Sequence, residues 1–192
     1  MSVQTISVKL FGSLASLCLV VWCLAIKEEV LERWYIHKLE CGNEEIIIDA
    51  VNKLSGRRSR MAAEAVYSAM IKCMKAQGWH ERRYNNKYLC FPRALRRMGE
   101  IARPEITKML KDTSEDVQWY ALEACDAKLT LSLIGDILPM LDEWKSCAPI
   151  ASYYLEQLGY PAIPYLEKTL CCESRNAWAR ITLCQITRGH VE

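Results

Sequence analysis

His37 and Cys41 stand four positions apart, the spacing that puts two metal-ligating side chains on one face of a helix. A closed zinc site needs two further ligands. No second pair of this kind lies nearby in the chain, and no Cys-x-x-Cys occurs in it. The other histidines, His80 and His190, sit in no recognisable catalytic context. A Ser/His/Asp constellation, a P-loop and a dinucleotide glycine fingerprint are all absent. These residues predict no catalytic residue, no metal site and no cofactor, so the chemistry left to the chain is recognition.

Charge is the material for it. The net charge of +2 conceals a strong polarity: residues 51–111 hold 15 Lys and Arg against 4 Asp and Glu, and residues 112–192 hold 6 against 12. Block asymmetry of this kind speaks about partners rather than fold. Aromatic residues interleave with the basic block, and residues 78–92 (GWHERRYNNKYLCFP) read as a long connection. Compact domains seldom keep such connections without use. Arg planes and aromatic faces together grip phosphates and stacked rings. The candidate contact residues are Trp79, Arg82, Arg83, Tyr84, Tyr88, Arg93, Arg96 and Arg97. Three readings stand side by side. The block is a solvated outer face, or a surface for a polyanion such as anionic lipid, polysaccharide or nucleic acid, or a contact for an acidic protein. That protein includes the acidic half of another copy, which gives head-to-tail self-association.

Elements that position such a surface are legible as a repeat. Residues 95–110 lie over residues 155–170 without a gap, matching Leu95/Leu155, Met98/Leu158, Gly99/Gly159, Ala102/Ala162, Pro104/Pro164, Ile106/Leu166 and Leu110/Leu170. A fixed offset of this size signals stacked helical hairpins. An intermediate copy aligns on Leu110, Leu141 and Leu170. Ile106, Ile137 and Leu166 precede these anchors by one helical turn. After them come Val117, Ala148 and Ala177, then Ala121, Ser152 and Ile181, then Ala124, Leu155 and Cys184. The spacings trace one helical stripe, so each unit reads as a helix, a turn and a second helix. An earlier copy uses Leu54 as anchor, with Ala50, Met61, Ala65 and Ser68 on its stripe. A degenerate unit between them has no recognisable first helix, and its second is roughly residues 92–102. Gly56, Gly99 and Gly159 mark helix ends, and Pro104 and Pro164 mark starts. Thr113, Ser114, Ser146 and Ser174 are candidate N-caps.

On Ala162, Pro164, Leu166, Leu170 and Ala177, with Asp112, Val117, Ala121 and Ala124 in the other copy, the chain resembles the HEAT-repeat family. The likeness is to its short bacterial, phycobilisome-lyase-like form, over roughly residues 44–188. Gln118 stands where that family often has Arg. The resemblance implies an all-α fold, an α-solenoid of stacked hairpins, and a non-catalytic binding or scaffolding role. Helical-repeat DNA glycosylases offer an enzymatic alternative, with Asp116 and Trp119 on one helix near the basic block. Asp116 falls in the first turn of its helix, where a carboxylate suits the helix dipole, and Trp119 adjoins the core stripe.

The N-terminus has a different composition. Residues 10–26 carry no charge, follow Lys9 and precede Lys27, Glu28 and Glu29. This suits a short membrane anchor or a signal peptide, with Cys23-Leu24-Ala25 as cleavage candidate. The chain therefore divides into a signal or anchor at 1–26, a leading helix at 27–43 and the repeat domain at 44–192. The basic flank on the N-terminal side orients that domain outward. Eight cysteines lie beyond the apolar run, and an even number in an exported chain permits disulfides. Cys184 occupies a core position of the stripe and is expected to act as a small hydrophobe.

Overall fold

In a computed structural model, the backbone is described for residues 3–76, 86–142, 144–172 and 176–188, with side chains from Val21 to Lys75 and again from Tyr88. Among the described residues there is helix and no strand. The first helix, α1 (Val3–Cys41), runs unbroken through the 26/27 boundary. Every side chain from Val21 to Val30 is exposed, whereas Tyr35, Ile36 and Leu39 pack on the core. Among the residues whose side chains are described, which in α1 begin at Val21, no helix is long and apolar enough to cross a membrane.

The chain then reverses through Gly42. A Cβ there would come within 2.6 Å of the Lys38 carbonyl oxygen and 2.7 Å of Ile46, so only glycine fits the turn. Asn43 follows, accepting from the Ile46 amide at 3.1 Å, and starts α2 (Glu44–Leu54). Next come α3 (Arg60–Ala76), α4 (Cys90–Met98), α5 (Arg103–Leu110) and α6 (Glu115–Ala124). Two short helices, α7 (Ala127–Ser132) and α8 (Ile134–Ile137), precede α9 (Ala148–Leu158), α10 (Ile163–Cys172) and α11 (Ala177–Arg188). The punctuation expected from sequence is present at several points. Pro104 and Pro164 lie in the first turns of α5 and α10. Gly99 and Gly159 close α4 and α9 with φ of 61° and 69°, a backbone conformation nearly reserved for glycine.

The capping serines behave differently. Ser114 precedes α6 without a side-chain cap bond, and Ser146 donates to the Glu115 carboxylate from across a neighbouring unit. The caps observed are Asn43, Ser59, Asp126 and Asn176, whose side-chain oxygens accept from Ile46, Ala62, Leu129 and Ala179 amides. Ser174 lies outside the described residues.

One line of contacts joins α3 to α4, α4 to α6, α6 to α9, and α9 to α11; α2 packs on α1 and α3, α5 on α6, and α10 on α11. Along that line each helix buries residues at i, i+3 and i+7: Ala63, Val66 and Met70 on α3; Phe91, Ala94 and Met98 on α4. Val117, Tyr120 and Ala124 do so on α6, Ala148, Ala151 and Leu155 on α9, and Ala179, Thr182 and Ile186 on α11. The anchors Leu54, Leu110 and Leu141 are buried, and Leu170 is half-buried.

Two of the expected stripes are corrected. On α11, Ile181 and Cys184 are exposed and Ala177 is half-buried, while Ala179, Thr182 and Ile186 face the core. On α3, Met61 and Ser68 are exposed and Ala63, Val66 and Met70 are inside. The cause is connection length. The inward triad of the second helix begins seven positions after Leu110 and Leu141 but nine after Leu54 and Leu170, so gapless alignment slips by two and rotates the stripe about 200°. Cys184 is therefore an exposed thiol and not a core hydrophobe. The degenerate unit's second helix is α4, followed by a 3₁₀ turn at Gly99–Ala102.

Candidate anionic-ligand surface

Four cations of the basic block are paired within the fold. Arg57 donates from Nη1 to the Glu28 carbonyl oxygen at 2.9 Å and pairs with the Glu28 carboxylate. Arg103 meets Glu100 at 3.7 Å, Lys108 meets the fully buried Glu105 at 3.4 Å, and Lys111 meets Asp136 at 3.1 Å. Each joins neighbouring turns or neighbouring units. Arg58, Arg60, Arg93 and Arg97 are exposed and form no ion pair among the described residues.

Of the candidate contact residues, Trp79, Arg82, Arg83 and Tyr84 lie outside the described residues. Tyr88 is corrected: it is buried, 3% exposed, and donates its hydroxyl to the Glu44 carboxylate, tying the start of α4 to the start of α2. Its ring fills core space and offers no face to a partner. Arg96 is also engaged internally. Its Nη2 donates to the Tyr154 hydroxyl oxygen at 2.8 Å, and its guanidinium lies 5.7 Å from that ring's centre. This bond ties α4 to α9, and Glu123 of α6 lies close enough to act on the same hydroxyl. Burial, reinforced by Glu123 and opposed by Arg96, pushes the Tyr154 hydroxyl up to about 12. Arg93 and Arg97, one turn apart on α4, keep their outward orientation.

A cleft of about 360 Å³ opens at the C-terminal end of α4. Arg58, Arg96, Arg97 and Lys128 line it with Gly99, Glu100 and Asp126. The Arg97 Nη1 donates to Ser55 Oγ at 3.3 Å, which joins this end of α4 to the turn between α2 and α3. Lys128 meets Glu100 at 3.6 Å, and the Asp126 carboxylate is spent on capping α7 at 2.8 Å. Arg58 and Arg97 thus remain as open guanidinium forks, and their geometry suits bidentate contact with carboxylate or phosphate.

Other residues with chemical promise are placed as follows. His37 Nδ1 and Cys41 Sγ are 3.9 Å apart on the exposed face of α1, and no group of three side chains suited to a metal converges among the described residues. Asp116 is in the first turn of α6, and Trp119 packs edge-on against Tyr120 at 4.9 Å. No disulfide joins the described cysteines; burial raises Cys90 to about 11 and Cys125 to about 12.

Arg58 and Lys128 were not among the residues singled out from sequence. Lys128 lies in the acidic half of the chain and reaches the cleft only because Asp126 starts α7 there. No protein-family model matches the chain, and the comparison with curated proteins finds no match.

Proposed function

We propose that the chain is an α-solenoid of HEAT-like hairpins that acts by binding rather than by catalysis, held to a membrane by residues 1–26. The observation that carries this is the same inward triad at i, i+3 and i+7 on five helices joined in one line of contacts. Stacked hairpins of this kind leave extended, rigid outer surfaces. The unbroken passage of α1 from the apolar run into the packed part supports a retained anchor over a cleaved leader.

The partner is an acidic protein that meets the outward side of α4 through Arg93, with Arg82 and Arg83 contributing. Capture of partners from native membranes by the full chain, in steps of rising salt, tests this. Replacing Arg82, Arg83 and Arg93 by Ser is expected to remove the salt-sensitive partner while leaving the chain folded. Capture unchanged by both salt and substitution sinks the acidic-partner reading. A partner identified as the chain itself, with mass rising with concentration, assigns the contact to head-to-tail self-association instead.

A further inference from the structure

Three cations without an ion pair among the described residues, Arg58, Arg60 and Arg97, stand at one end of the molecule, and the apolar part of α1 emerges from that same end. Two contacts set the direction. Arg57, in the turn before α3, is bound to Glu28 of α1. Lys72, near the far end of α3, donates to the Glu40 carbonyl oxygen at 3.0 Å. Thus α3 runs alongside α1 in the same direction, and the α2–α3 turn returns to the level of Glu28. The Arg97–Ser55 bond brings the cleft at the end of α4 to this level as well. At 1.5 Å per residue, Glu28 lies about 3 Å beyond Ile26, the last residue of the uncharged run.

The described part of the apolar run, from Val21 onward, lies clear of the fold. Val21, Trp22, Leu24 and Ile26 are 59%, 65%, 56% and 42% exposed. With 100° between successive residues they point round most of the helix circumference. A partner helix would cover one stripe; hydrocarbon covers all sides. Three acidic side chains near this level are held by cations. Glu28 is held by Arg57, Glu29 by Arg33 at 2.8 Å, and Glu100 by Lys128 and Arg103. Arg58, Arg60 and Arg97 have no such partner among the described residues.

We propose that the α2–α3 turn and the adjoining cleft form a headgroup-binding surface, apposed to an anionic bilayer that receives residues 10–26. The proposal rests on reading that segment as a retained anchor. The forks of Arg58, Arg60 and Arg97 engage lipid phosphates and carboxylates, and the contact fixes how the helical stack stands on the membrane. Each basic residue held at an anionic surface strengthens the contact about fivefold.

The test uses the full chain in nanodiscs of phosphatidylcholine alone, or with about one-third phosphatidylserine to supply the negative surface potential. Amide exchange is followed in peptides covering 55–61 and 96–100. Exchange is expected to slow in the anionic discs only, and to recover at high salt, where surface charges are screened. Arg58→Ser with Arg60→Ser leaves the Arg97–Ser55 bond intact and is expected to weaken the protection roughly 25-fold, two arginines at fivefold each. Adding Arg97→Ser removes it, while incorporation into discs is unchanged. Equal exchange in neutral and anionic discs overturns the headgroup surface and leaves the anchor standing. Failure of the chain to enter either disc overturns both.

Discussion

Arg96 illustrates how a residue that reads as a recognition group from its type is consumed by the fold. Its bond to Tyr154 ties α4 to α9. Removing the hydroxyl in Tyr154→Phe leaves a half-buried guanidinium short of an acceptor and is expected to cost about 1–3 kcal/mol at neutral pH, measurable by urea unfolding. The same residue shapes the alkaline limb. Burial raises Cys90 to about 11 and lifts both Cys125 and Tyr154 to about 12. The folded chain therefore keeps protons that the unfolded chain has released once pH passes the ordinary values of 9 for the thiols and 10 for the phenol. Stability is full below about pH 9 and declines as pH rises toward 12. Tyr154→Phe is expected to flatten the part between pH 10 and 12; an identical limb in wild type and variant refutes the assignment. Gly99 and Gly159 provide a second test. Alanine at either, forced to φ of 61° or 69°, is expected to cost about 1–3 kcal/mol. Alanine at Gly56, which has no positive φ and open space around it, is expected to be nearly neutral.

Helices along the chain were legible to different depths. Helix type, the prolines that start α5 and α10, and the glycines that end α4 and α9 were all readable, because each depends on a local backbone rule. Anchors such as Leu110 and Leu141 were readable because each lies upstream of the variable connection. The second-helix stripes of the outer units were not. Two extra residues between Leu170 and Ala179 rotate α11 so that Ile186, rather than Ile181, enters the core. This shift follows from the turn's path, which the spacing of apolar residues does not encode. Ile186→Ala is expected to destabilise by about 2–5 kcal/mol, whereas Ile181→Ala stays within about 0.5 kcal/mol. Thermal melts that rank them in the opposite order restore the uncorrected register. The cleft was less legible still, since Arg58, Arg97 and Lys128 come from three elements of opposite charge context. Their meeting depends on Ser55 touching Arg97 and on Asp126 beginning α7, neither of which has a periodic signature.

As a whole molecule, the proposed stack distributes its stability unevenly. In a quasi-linear array each hairpin is held by its own packing and by its neighbours, so end units rest on one interface and interior units on two. The N-terminal end is covered: the last turns of α1 lay Tyr35, Ile36 and Leu39 over α2 and α3. Among the described residues nothing covers the opposite end in this way, and α11 turns Ile181 and Cys184 to solvent. Opening should therefore begin at α10 and α11 and stop at the next interface, where α9 meets α6. Native-state hydrogen exchange reads this directly. Amides in α11 are expected to exchange through an opening of lower free energy than those in α6, and the gap should widen in Ile186→Ala, which weakens the α9–α11 seam without touching α6. Ser152 and Thr182 mark that seam with a buried hydroxyl pair at 2.7 Å. If α6 and α11 instead share one opening free energy that falls equally in the variant, the molecule unfolds as a single unit. The description as a chain of stacked hairpins then gives way to that of one undivided helical core.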